Sequence, residues 1–246
     1  MKKRKTNKRG KWYKSVTFLA AMLSVLGVIA LVVCLRNCSG NAMDAATEND
    51  PTIKIEDLQD GNGMVHNGLQ VEKIGSYSGI FVEDGSDDVV SRILMVIVKN
   101  VGSQTVQYAE LELTDGTTTA YFTLSSLPPG ESAVVMEQNR MPYSNGKTLT
   151  QCSVHNVVLF DQEPSLNKDR IQVQALNGAL NITNISGQDI SGNVVIYYKN
   201  AASDMLYGGI TYRTTITGGI SAGEVRQIIA NHFYPNGSRI MWITVE

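Results

Sequence analysis

The sequence predicts an all-β protein in which two tandem β-sandwich domains follow a single N-terminal transmembrane helix. Three observations lead there. Ser15 to Leu35, "SVTFLAAMLSVLGVIALVVCL", runs without a charge. From Leu69 to the C-terminus, short β-branched and aromatic segments alternate with Gly, Asp, Asn, Ser and Pro. And "LSSLPPGES", Leu124–Ser132, is echoed 93 positions later by "TGGISAGEV", Thr217–Val225.

The apolar run has 21 residues; at about 1.5 Å per helical residue it spans roughly the 30 Å hydrocarbon core of a bilayer. A cleaved signal peptide has a shorter apolar region, of about 7–15 residues, and a small-x-small site after it, which "RNCSGNAMDAA" does not supply. Residues 15–36 are therefore read as an uncleaved signal anchor, with 1–14 as a basic cytoplasmic tail. Eight Lys and Arg precede the run with no acid among them, whereas Arg36 alone flanks its far side. Positive residues stay on the cytoplasmic side, which puts the rest of the chain outside the cell membrane.

The formal net charge of −2 hides this division. All 23 acids lie at Asp44 or later, against 12 basic residues beyond the anchor, so the outer part carries −11. Such a surface repels polyanions and argues against nucleic-acid binding. Cys34, Cys38 and Cys152 are too few and too scattered for a disulfide framework or a zinc site. Residues 37–63 are polar, acidic and poor in aromatics, and read as a stalk.

Two series of strands follow. The first, in a domain over 64–162, comprises "LQVEKI", "SGIFVE", "RILMVIVKN", "VQYAELEL", "TAYFTL", "SAVVME" and "SVHNVVLF". The second, over 168–246, comprises "DRIQVQAL", "ALNITNI", "NVVIYYKN", "GITYRTTI", "VRQIIA" and "SRIMWITVE". "DQEPSLNK", Asp161–Lys168, has the composition of a linker. The series align: Asn100 with Asn184, Leu111 and Leu113 with Val194 and Ile196, Gly130-Glu131 with Gly223-Glu224. A period near ninety residues in two copies describes tandem Ig-like sandwiches rather than a solenoid. Each Gly-Glu phrase is the turn into a late strand, where Gly supplies backbone freedom.

The carriers in copy one are Asn100, Gly102, "LELTD" (Leu111–Asp115) and "LPPGE" (Leu127–Glu131); copy two keeps Asn184, Ser186, "VVIYY" (Val194–Tyr198) and Gly223-Glu224. This order resembles the FxLYD-type extracellular β-sandwich domains common in exported proteins of Gram-positive bacteria. Copy two has the Tyr of that pattern without the Asp, and copy one the reverse. The resemblance implies a binding or spacing module on the cell surface and carries no catalytic residue over.

Enzyme chemistry has one candidate. "TLTQCS", Thr148–Ser153, resembles the Thr-Leu-x-Thr-Cys strand of sortases, with Gln151 in place of the second Thr. A thiolate nucleophile needs a partner His and an oxyanion donor. His155 is three positions from Cys152, on the opposite face of a strand, and the next Arg is Arg170. Cys152 is better read as a small strand residue. "EDGSDD", Glu83–Asp88, gathers four carboxylates that could hold Ca²⁺, but lacks the loop length and terminal Glu of a dedicated site, so a solvated turn is the preferred reading. No metal, cofactor or catalytic set is expected.

Copy two carries about nine extra residues around "AASDMLYGG", Ala201–Gly209. Met205, Leu206 and Tyr207 there could form an exposed anchor for a partner, or fold over the sandwich edge and complete its core. The expected function is non-enzymatic: a membrane-anchored binding or adaptor module whose partner is another envelope or secreted protein. A sortase-like transpeptidase using Cys152, and a cell-wall carbohydrate binder using Trp242 and scattered Tyr, are the alternatives.

Overall fold

The computed structural model describes residues 53–61, 63–144, 149–202 and 205–246. The basic tail, the expected anchor and the stalk as far as residue 52, with Cys34 and Cys38, lie outside them. The described residues form fourteen strands and include no helix long and apolar enough to cross a membrane.

Series one comprises β3 (Leu69–Ile80), β4 (Val89–Asn100), β5 (Val106–Thr114), β6 (Thr119–Leu127), β7 (Ser132–Met136) and β8 (Gln151–Leu159). Series two comprises β9 (Ile171–Leu176), β10 (Ala179–Asn184), β11 (Val194–Ala202), β12 (Met205–Ile216), β13 (Val225–Ile229) and β14 (Ser238–Val245). Both pair in the same pattern. Series one runs β3-β4-β7 and β6-β5-β8, and series two runs β9-β10-β13 and β12-β11-β14. One apolar cluster lies between the first two rows, built on Val71, Val96, Val135, Leu111, Phe122 and Val154. A second lies between the other two, built on Ile171, Ile182, Val194, Ile216, Phe233 and Ile243.

The alternation of apolar and polar residues explains most of these strands. Along β10, Leu180 and Ile182 are fully buried while Asn181 and Thr183 between them are not. The run "ILMVIV" in β4 has no alternation, and all six residues are buried. Leu94, Val96 and Val98 face the first cluster; Ile93, Met95 and Ile97 face a third cluster with Tyr77, Phe81, Val134, Met136 and Tyr207. A strand covered on both faces reads as a continuous apolar run. Each such side chain contributes roughly 1.5–3 kcal/mol of burial.

Two segments differ from the sequence expectation. "SGIFVE" is not a strand of its own: its first residues complete β3, and Phe81 and Val82 turn into the third cluster. Residues 54–60, read as stalk, form β1 (Lys54–Asp60), antiparallel to β3. Their acidity is balanced locally, because Asp60 meets Lys73 at 2.5 Å and Asp57 meets Arg92 at 2.7 Å, while Ile55 packs on the third cluster. A short strand β2 (Val65–His66) also joins β3.

Candidate functional site

The two repeat turns come first, since they position the surfaces around them. Asn100 ends β4 and Asn184 ends β10, and both side chains are buried. Asn100 Nδ2 donates to Gln104 O at 2.9 Å and Leu127 O at 2.8 Å; Asn184 Nδ2 donates to Gln188 O at 2.7 Å and Ile220 O at 2.9 Å. Each Oδ1 accepts the N–H two residues on, from Gly102 and Ser186. Each backbone oxygen accepts from the turn glycine, Gly130 at 2.7 Å and Gly223 at 2.9 Å. With φ of 77° and 75°, those glycines adopt a left-handed conformation that a side chain would oppose. The repeated phrase in the sequence is one hydrogen-bonded knot, tied twice.

A seam joins the two series. Met205, Leu206 and Tyr207, the expected anchor for a partner, open β12 and pair in parallel with Ser132, Ala133 and Val134 of β7. This makes the β3-β4-β7 and β12-β11-β14 rows one eight-stranded sheet, with β1 and β2 at its far side. Leu206 is 1% exposed and Tyr207 7%, so neither presents a surface to a partner. Of the two alternatives for this segment, the structure places it in the core, where Leu206 joins the first cluster and Tyr207 the third.

The seam is closed by a buried carboxylate and a buried amine. Glu83 Oε1 accepts the N–H of Met136 at 2.9 Å, and its Oε2 accepts the N–H of Gly209 at 2.7 Å. These are amides of the two paired strands just beyond their shared ladder, so the side chain ends their pairing. Lys199, on β11, is fully buried and donates to Ser125 O of β6 at 2.9 Å and to Gly209 O at 3.1 Å. Burial pushes the Glu83 carboxyl up to about 7, against the hydrogen bond from Met136 and the charge of Lys199. Burial draws Lys199 down to about 7, with Glu83 opposing the shift and Arg239 adding to it. Gly209 lies so close to β6 that an added Cβ would stand 1.7 Å from Thr123 O.

The remaining carboxylates of the acidic turn each have a protein partner. Asp84 and Asp88 meet Arg140 at 2.6 and 3.0 Å, and Asp87 meets His232 at 2.9 Å. Arg140 also stands over the Phe81 ring, 4.5 Å from its centroid. Asp84 and Asp88 thus share Arg140 while Asp87 turns to His232 and Glu83 inward, and among the described residues no cluster of three or more potential ligands is arranged to hold a metal.

Cys152 is half-buried against the first cluster, and burial pushes its thiol up, away from the thiolate that a nucleophile requires. His155 is exposed on the other side of β8, 3.1 Å from Ser153 Oγ and 3.9 Å from Glu112. The strand therefore separates the two groups a cysteine transpeptidase would bring together.

Beside the seam is a cleft of about 140 Å³ that sequence reasoning did not foresee. The repeat turn contributes Ser126 and Pro128, the linker Glu163 and Pro164, and β14 Met241 and Trp242. Glu163 is held by the N–H and hydroxyl of Thr105 at 3.2 and 2.7 Å. Trp242 stacks on Tyr197 with centroids 4.2 Å apart and meets Phe160 edge-on at 5.1 Å. Its ring is thereby fixed as one wall of a concave, mixed polar and aromatic surface. Nothing in the composition of the linker, with its single Pro164, foretold this cleft. No family profile, curated protein or solved structure matches the chain.

Proposed function

We propose that this chain is a membrane-anchored, extracytoplasmic binding or adaptor module of the bacterial cell envelope, built from two tandem Ig-like sandwiches of FxLYD type, and not an enzyme. The observation that carries this reading is the cleft at Trp242. It is assembled from both strand series and the linker, in the concave, aromatic setting that favours recognition. The seam supports it, because a site shared between two halves needs them held at a constant angle. The identical turns and matching strand order support the tandem arrangement, and the apolar run 15–36 behind eight cations supports the anchor. With Leu206 and Tyr207 buried and Met205 half-buried against the third cluster, the partner, another envelope or secreted protein, is expected at the cleft instead.

A photo-crosslinking residue at Pro164 of the full chain in intact cells tests this. The expected result is a covalent adduct with a defined envelope protein, lost when Trp242→Ala is added. Adducts with wall polymer alone would favour the carbohydrate reading. Alkylation of Cys152 faster than that of an ordinary thiol, with the adduct intact, would favour the transpeptidase. In the same cells, Gln174→Cys in a chain otherwise cleared of cysteine (Cys34→Ser, Cys38→Ser, Cys152→Ala) should react with a membrane-impermeant maleimide without permeabilisation; labelling only after lysis would sink the assigned topology.

A further inference from the structure

Strands β7 and β13 hold the same place in the two series, and only β7 has its outer edge covered by another strand. In β13, Glu224 O accepts from Asn184 N at 3.1 Å and Ala230 N donates to Gly178 O at 2.9 Å. Residues 224, 226, 228 and 230 therefore direct their main-chain groups to β10, and by the period of two Val225, Gln227 and Ile229 direct theirs outward. The corresponding outward residues of β7 are Ser132, Val134 and Met136. Parallel β12 covers the first two, and Glu83 accepts the N–H of the third. Among the described residues no strand pairs with the outer edge of β13. Thr214 Oγ1 donates to Ile229 O at 2.8 Å, which leaves that oxygen a second lone pair.

The side chains there are also unusual for an open edge. Val225 is 58% exposed and Ile229 73%, with Gln227 exposed between them. On the same face, Gln227 donates to Asn181 at 3.2 Å, and Asn181 to Gln174 at 3.1 Å, an amide ladder across all three strands. The outward positions of β9, β10 and β13 carry no charge in a chain whose outer part is strongly acidic. Folded proteins ordinarily blunt such an edge with Lys, Pro or a bulge.

We propose that β13 pairs antiparallel with β13 of a second copy of this chain, about a two-fold axis through Gln227. That register places Gln227 opposite its own copy and Val225 opposite Ile229 of the second copy, twice over, with every outward main-chain group partnered. About six new hydrogen bonds form, and two three-stranded rows become one six-stranded sheet. The antiparallel arrangement is selected because it keeps both exposed apolar side chains on one face, side by side, and lets the amide ladder continue across the axis. The dimer goes beyond the binding reading and stands or falls apart from it.

Single-cysteine full chains in detergent, with Cys34→Ser, Cys38→Ser and Cys152→Ala as background, test the register. Gln227→Cys should form a disulfide dimer on mild oxidation, since directly opposed residues lie within disulfide reach. Val225→Cys and Ile229→Cys should stay monomeric alone and crosslink when mixed. Adding Ile229→Lys, a change at an exposed position, should cut the Gln227→Cys dimer at least tenfold while leaving the thermal midpoint in place. The proposal is overturned if Gln227→Cys crosslinks no better than Gln172→Cys on the opposite edge strand. It is equally overturned if Val225→Cys dimerises alone as well as when mixed, if Ile229→Lys changes nothing, or if the thiol links to a different protein.

Discussion

Strands β7 and β13 occupy equivalent positions, follow equivalent Gly-Glu turns and pair with equivalent neighbours, yet their residues differ in kind. In β7, "SAVVM" has four buried apolar residues of five; in β13, "VRQII" exposes its first, third and last. The difference lies on the second face and outer edge. β12, Glu83 and the third cluster close both for β7, and its outward Val134 and Met136 are apolar. Nothing in the described chain does so for β13, which kept the alternation of a strand half in water. A repeat conserves the knot that makes the strand, while the neighbour decides what the strand may carry.

The comparison breaks most sharply at the equivalent residues Val134 and Gln227. Val134→Lys buries an unpaired charge and should destabilise by on the order of 5 kcal/mol, whereas Gln227→Lys, measured at a dilution where the chain is monomeric, should stay within about 0.5 kcal/mol. Urea unfolding of both variants measures this, and similar losses would mean that the edges are equally buried. Next comes the closure of the seam. Glu83→Ala leaves two backbone amides without their acceptor and Lys199 without an opposing charge, and should lose about 3–5 kcal/mol. The double change Glu83→Leu with Lys199→Met should recover a substantial part, and an unrecovered loss would show that the pair does not act as a unit.

The knots should behave alike where the edges do not. Asn100→Ala and Asn184→Ala remove the same three hydrogen bonds to main-chain groups, Asn184 losing in addition that from the Ser186 hydroxyl, and should each lose about 2 kcal/mol. A difference larger than about 1 kcal/mol would show that matching geometry hides unequal roles. The smallest expected effect is on pH dependence. With its pKa raised to about 7, Glu83 holds a proton more tightly in the folded chain. Its contribution is full below the ordinary carboxylate range and is lost as pH rises toward 7. Lys199, drawn down to about 7, contributes fully above the ordinary amine range and loses its contribution as pH falls toward 7. Stability between pH 5 and 10 should pass through a minimum near neutrality, and Lys199→Met should flatten its alkaline limb. A profile unchanged by that substitution would contradict the coupling.

Much of this architecture was legible before any coordinates. The strands of both series other than "SGIFVE", and the two Asn and Gly-Glu turns, follow from alternation and turn chemistry, which are local. The alignment of Asn100 with Asn184 anticipated hydrogen bonds that agree within about 0.2 Å. β1 was missed because its charges suggested a solvated stalk; Lys73 and Arg92, distant in sequence, balance them.

What the sequence determined by itself is the all-β class, the repeat and its knots, because side-chain period and backbone preference act within a few residues. Only the tertiary structure decided which edges meet. Parallel pairing of β7 with β12 joins residues some seventy positions apart and leaves no local period to read. For the same reason Lys199, in "IYYKN", reads as an ordinary polar residue of a strand. It becomes a fully buried amine only because β6 and the start of β12 close over it.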